Sequence, residues 1–168
     1  VQHCHCRVDH CLRLAGARAS VLLFEAASEG DVAKLQTLLE KDKYDVNWRG
    51  EYGMSPVHVA TLNNHAECVR LLIRAGAKVN QFDNDGWTLL TWIAISDEST
   101  PAHVEFARDL ISRGCLVDAQ SSGPGADRGH TALHCACESP GGAAAAMVAL
   151  LVAAGANVGT DVARRFTM

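Results

Sequence analysis

The side chains best suited to chemistry crowd the N-terminus: His3, Cys4, His5 and Cys6, then His10 and Cys11. Imidazole and thiolate are zinc ligands, and a closed structural site needs four of them. The spacing lacks the C-x2-C step and the distant second pair of a familiar finger. The stretch therefore reads as a poorly ordered leader. A zinc-dependent module is the competing reading, and stoichiometric zinc in the purified protein would reveal it. Further along, His134 and Cys135 are chain neighbours on a predicted helix, where adjacent residues do not face each other. No paired carboxylates, activated nucleophile or phosphate-binding loop stands out. The expectation is a chain without catalytic residues, cofactor or metal site, and not an enzyme.

The elements that position these residues follow from composition and repetition. The chain has 168 residues, one domain's worth, of which 48% are hydrophobic. With mean hydropathy near zero, this predicts a soluble globular protein with a sizeable core. A net charge of −4 gives no basic footprint, so no nucleic acid partner is expected. The most apolar run, Ala143 to Gly155, is too short to span a bilayer, and no signal-peptide pattern opens the chain, so no membrane partner is expected either. Seven cysteines is an odd number. Four of them, Cys68, Cys115, Cys135 and Cys137, fall inside the repeat pattern below, where a free thiol behaves as a small hydrophobe. This predicts a reducing compartment, cytosol or nucleus, with no disulfide framework. A start at Val1 and a stop at Met168 read as a segment of a longer protein.

Two stretches are variants of one another. Gly53-Met54-Ser55-Pro56-Val57-His58-Val59-Ala60 returns as Gly129-His130-Thr131-Ala132-Leu133-His134-Cys135-Ala136, with a degraded copy, Gly86-Trp87-Thr88-Leu89-Leu90-Thr91-Trp92-Ile93, between them. Gly53 to Gly86 is 33 residues. A second pattern recurs at its own offset: an apolar helical run ends at Gly76, Gly114 and Gly155, where a left-handed helix terminus suits glycine. Ser55 or Thr131 can cap a helix start, and Pro56 sits where no N–H is needed. Each unit thus reads as turn, helix, short loop, antiparallel helix, glycine stop and extended arm. A first unit keeps the helices around Val21–Ala27 and Leu35–Leu39 and the arm Asp45-Val46-Asn47. Gly53 to Gly76 is 23 residues but Gly86 to Gly114 is 28, which places a surface loop around Asp97–Pro101. Similar accounting places insertions at Ser121–Gly125 and Pro140–Gly142.

From about Val21 to Val158 the chain resembles the ankyrin-repeat family, whose T-P-L-H-x-A pattern recurs every 33 residues. The resemblance implies an all-α solenoid of stacked helix-turn-helix units with projecting β-hairpin loops. The predicted division is an N-terminal Cys/His extension over 1–19, repeats over 20–50, 51–83, 84–126 and 127–160, and the start of a further hairpin or tail over 161–168. It further implies a non-catalytic module that binds another protein through a concave surface of hairpin tips and first-helix ends. Carried over by position, the tips are Arg49, Glu51, Tyr52 and Met54; Phe82, Asn84, Asp85 and Trp87; and Asp127, Arg128 and His130. The helix ends add Leu62, Asn63, Ile95, Ser96, Glu138 and Ser139. The alternative is a regulatory or substrate-recruiting segment of a larger protein such as a ubiquitin-ligase adaptor, kinase or channel.

Each of these residues has a plainer reading. Tyr52, Phe82, Trp87 and Arg49 are of types enriched at interface hot spots, whereas Trp87 could instead pack sideways onto the neighbouring hairpin. Trp92 aligns with Val59 and Cys135 and is expected in the core. The resemblance gives His58 and His134 a structural hydrogen bond between hairpin and helix. It places Asn47 and Asn80 where the family's arms can be hydroxylated, against a plain turn residue bonding its own backbone. The third unit departs from the pattern with Leu89 and Thr91 in place of Pro and His. Ala143 to Ala154 carries no charge, and a helix apolar all round is usually covered, by a further repeat or by a partner.

Overall fold

The computed structural model describes residues 18–40, 44–50, 52–95, 100–122, 129–140 and 142–159. Among these are eight α-helices and no strand. The chain divides into two compact units, Val1–Ala77 and Lys78–Met168. The first holds α1 (Arg18–Glu29), α2 (Val32–Leu39), α3 (Pro56–Leu62) and α4 (Ala66–Arg74). Each leading helix packs on its trailing partner, α1 on α2 and α3 on α4. Like then stacks on like, α1 against α3 and α2 against α4. The second unit repeats the scheme with α5 (Leu89–Ala94), α6 (Pro101–Ser112), α7 (Ala132–Glu138) and α8 (Ala144–Ala153). Leu23, Leu35, Val57 and Leu72 fill the first block; Leu89, Leu90, Ile93, Leu110, Leu133, Met147 and Leu151 fill the second.

Helices this short leave a large share of their backbone groups without an intrahelical partner, and the sequence supplies the missing ones locally. At three starts an imidazole closes the cap. His58 Nδ1 accepts from the Ser55 amide at 3.2 Å and lies 2.8 Å from its hydroxyl. His103 does the same for Thr100, and His134 for Thr131. Because Nδ1 accepts a backbone N–H, the ring proton belongs on Nε2 in all three. α5, which lacks the histidine, is capped by Thr88 instead, its Oγ1 accepting from the Thr91 amide at 3.3 Å.

The His103 cap corrects the sequence reading. Thr100-Pro101 was expected in a surface loop, yet Thr100 is the N-cap and Pro101 the first residue of α6. Thr100-Pro101-Ala102-His103 has the order of Ser55-Pro56-Val57-His58, moved to the start of a trailing helix, so proline here opens a helix rather than a turn.

The trailing helices stop as expected: Gly76, Gly114 and Gly155 have φ of +94°, +87° and +89°, where a side chain would be strained. The Gly76 and Gly114 carbonyls are then used by the arms. Asn47 Nδ2 donates to Gly76 O at 3.2 Å within the first unit, and Asn80 Nδ2 to Gly114 O at 2.8 Å within the second. Asn80 Oδ1 also accepts from the Leu116 amide at 2.8 Å, and Asp118 Oδ1 from the Asn157 amide at 2.8 Å. These asparagines therefore bond to the next helix stop, some thirty residues along the chain, as well as belonging to a turn.

One arm is built around a buried acid. Asp83 is 6% exposed, and its Oδ1 accepts from the amides of Asp85 (3.0 Å) and Trp87 (2.8 Å). Its Oδ2 accepts from Trp92 Nε1 at 2.9 Å. Burial pushes the Asp83 carboxyl above its ordinary value of 3.8, outweighing these three N–H donors, and neighbouring Asp85 adds to the rise.

Two outcomes follow from these fasteners. His58→Ala should destabilise the protein by about 1–3 kcal/mol in urea unfolding, because the Ser55 amide is left buried without its acceptor. His58→Gln should recover part of that loss, since glutamine at this position also reaches the cap amide; equal losses would refute the cap as the cause. For Asp83 the sign is set by a folded pKa above the unfolded one. Its contribution is full below the unfolded value and is lost as pH rises through the folded one. Asp83→Asn turns an amide donor or a misplaced acceptor toward Trp92 or the backbone amides and should cost about 1–3 kcal/mol. The wild-type advantage over Asp83→Asn should shrink between pH 4 and pH 7; an advantage that grows over that range would contradict the assignment.

Candidate functional site

In the first unit the exposed large hydrophobic side chains are Leu22 on α1, Tyr52 on the arm at residues 49–54 and Leu62 at the end of α3. Gly50 N donates to Met54 O and Gly53 N to Gly50 O, both at 2.9 Å, closing the arm into a tight turn. Arg49 Nε donates to Gly53 O at 2.9 Å and so clamps the same turn while its residue stays exposed. Tyr52 projects from the apex with 53% of its surface in solvent. Met54, expected at the tip, is 7% exposed and belongs to the core. It directly precedes the N-cap Ser55, the position from which an apolar side chain packs on the fourth residue of the helix, here the equally buried Val59.

Leu62 is exposed at the end of α3. Its neighbour Asn63 is spent on structure, Nδ2 donating to Ser28 O at 2.9 Å and tying the ends of α1 and α3 together. Sequence reasoning missed Leu22, which is 42% exposed on α1 inside an apolar run. The signal was there: Leu22, Glu25 and Glu29 recur at i, i+3 and i+7, a single helix face that carries two acids.

In the second unit Phe82, Asn84 and Asp85 are exposed along the third arm. Trp87 is half-buried and leans on Trp92, with ring centroids 4.9 Å apart and planes tilted by 55°. Trp92 was expected in the core but is half-buried, because its indole N–H must reach Asp83 rather than the apolar interior. His130 is half-buried, its amide donating to Ser121 Oγ at 3.1 Å and its ring stacked on His134 at 5.3 Å. Ile95 and Ser139 are half-buried and Glu138 is exposed. Glu51, Ser96, Asp127 and Arg128, and the Cys/His cluster of residues 3–11, lie outside the described residues.

Cys135 is buried, and His134 Nδ1 is occupied by Thr131, so the pair does not form a nucleophile and base. Burial pushes the Cys115 thiol up to about 12. Burial likewise raises Cys68, with Asp31 and Glu67 adding to the effect. Both thiols stay protonated at neutral pH and are poor nucleophiles. Among the described residues no group of three His, Cys, Asp or Glu side chains is placed to hold a metal ion. An open cavity of about 260 Å³ is lined in part by Asp118, Gln120, Thr131, His134 and Asn157. No described helix is long and apolar enough to cross a membrane.

Comparison with known proteins agrees with this geometry. The family model described as "Ankyrin repeats (3 copies)" matches residues 23–121, and "Ankyrin repeat" matches residues 128–161. The chain is similar to Protein phosphatase 1 regulatory subunit 27 of Mus musculus, 34% identical over 99 residues, which is 59% of this chain and 61% of that protein. The Homo sapiens protein of the same name matches to the same extent. Cortactin-binding protein 2 of Rattus norvegicus is 41% identical over 69 residues, 41% of this chain and 4% of that protein. The chain thus spans less than two thirds of these relatives. Repeats of this kind are protein-interaction modules, and the family models together cover most of the helical chain. The chain belongs to the ankyrin-repeat family.

Proposed function

We propose that the chain is a non-catalytic protein-interaction module whose partner seats on the arm tips and leading-helix ends. The observation that carries this reading is the contrast between a fixed backbone and exposed anchors. Tyr52 is 53% exposed on a turn clamped by Arg49, and Phe82 is 38% exposed beside the Asp83 hub. Aromatic side chains on a preordered frame contribute contact area with little entropy to lose. The site in the first unit comprises Arg49, Tyr52 and Leu62. In the second it comprises Phe82, Asn84, Asp85, Trp87 and His130. Glu51, Asp127 and Arg128 extend these sets by their place in the sequence. Cys68, Cys115, Cys135 and Cys137, none of them in a disulfide, support action in a reducing compartment, cytosol or nucleus.

A regulatory role is favoured by the relatives, one named as a phosphatase regulatory subunit and another as a cortactin-binding protein. In that role the chain would deliver or restrain a partner within a larger assembly. Protein phosphatase 1 and cortactin are the first partners to assay.

Site-specific photocrosslinking separates the faces. A benzophenone amino acid at Tyr52 or Phe82 should crosslink the partner, and one at Arg74 on the trailing helix α4 should not. Crosslinks from Arg74 alone would overturn the proposal.

A further inference from the structure

The tip of the third arm combines aromatic faces with carboxylates on one short turn. Phe82 is 38% exposed, Asp85 stands in solvent, and Trp87 keeps part of its ring outside while leaning on Trp92. The turn is held from beneath. Asp83 Oδ1 fixes the amides of Asp85 and Trp87. The Asp85 carbonyl accepts from the Ser122 amide at 3.2 Å, and Gly86 lies so close to Ser122 that any side chain there would collide with it. The backbone that carries the aromatic ring and the carboxylate is therefore fixed, and a ligand need not order it.

The electrostatics select the ligand. Indole and phenyl faces are electron-rich and attract cations, and Asp83 and Asp85 place two carboxyl groups at the same turn. In this unit Arg108 and Arg113 pair with Glu105 and Asp109 on α6, and Asp85 makes no ion pair among the described residues. An apolar partner group would bury Asp85 without a counter-charge, which is unfavourable. A guanidinium avoids that penalty: it is planar, weakly hydrated, stacks on aromatic rings and forks onto a carboxylate, whereas an ammonium does neither of the last two.

The geometry points to the third arm tip as a seat for an arginine side chain of the protein partner, stacked on Trp87 and paired with Asp85. This rests on the arm tips being the interface. A guanidinium so placed would also oppose the rise that burial imposes on the Asp83 carboxyl, so binding should weaken as Asp83 is protonated.

The test is an NMR titration of the full ¹⁵N-labelled chain with N-acetyl-arginine methylamide and its lysine and citrulline analogues, reading the three indole N–H signals. Saturable shifts are expected at Trp87 and Trp92 with the arginine probe, none at Trp48 in the first unit, and none with citrulline. The lysine probe, and the arginine probe on Asp85→Asn, should each bind about three- to tenfold more weakly. Equal shifts with citrulline, or an unchanged affinity in Asp85→Asn, would overturn the seat; equal binding of lysine would overturn its arginine selectivity. A partner that crosslinks from Phe82 yet binds Asp85→Asn as well as wild type also overturns it, while leaving the interface intact. Probe binding at Trp87 with crosslinks only from Arg74 would instead overturn the interface and uphold the cation seat.

Discussion

Helices of six to twelve residues are marginal in water on their own, and every described helix falls within that range. Stability must come from packing one pair on the next, and packing is possible only if the buried helix ends are satisfied. The three histidine caps, the threonine cap of α5 and the asparagine bonds to the glycine stops meet that requirement. Neither the shape of the arms nor the placement of the exposed anchors would hold without them. The same short range of contacts, one helix pair touching the other within each unit, is what permits insertions between helices without loss of the core.

The repeat period made the helix pairs legible, because glycine stops and S/T-P-x-H starts are local signals with a physical cause. Gly76, Gly114 and Gly155 are left-handed for the reason the sequence suggests. Spacing was a poorer guide to the extra residues. Thr100-Pro101 looked like loop by count and composition, and only the His103 three residues on, closing the cap, distinguishes a proline that starts a helix from one that ends it. The site was legible as a set of positions and less so as exposures. Met54 occupies a tip position in the chain but points into the core, since the arm has already turned at Gly53. Leu22 lay hidden in an apolar run where only the face shared with Glu25 and Glu29 sets it apart. Asp83 escaped notice because its importance lies in three donors converging on it, a tertiary fact.

Under the proposed function, the side chains that count are those that keep exposed surface on a fixed backbone. Arg49, Asn63, Asn80 and Trp92 all carry groups that look available in sequence and are engaged in structure. Tyr52, Leu62, Phe82 and Asp85 retain exposed surface on backbones held by their neighbours. Rigid turns carrying exposed aromatic groups suit recognition, and the buried, protonated thiols of Cys68 and Cys115 do not suit catalysis.

The most direct test of this account is amide hydrogen exchange of the full chain, free and bound to its partner. Helix amides should already be protected in the free protein, and binding should add protection at residues 49–54 and 82–87 and at the ends of α3 and α5. New protection confined to the trailing helices α2, α4, α6 and α8, or helices that become protected only on binding, would contradict it.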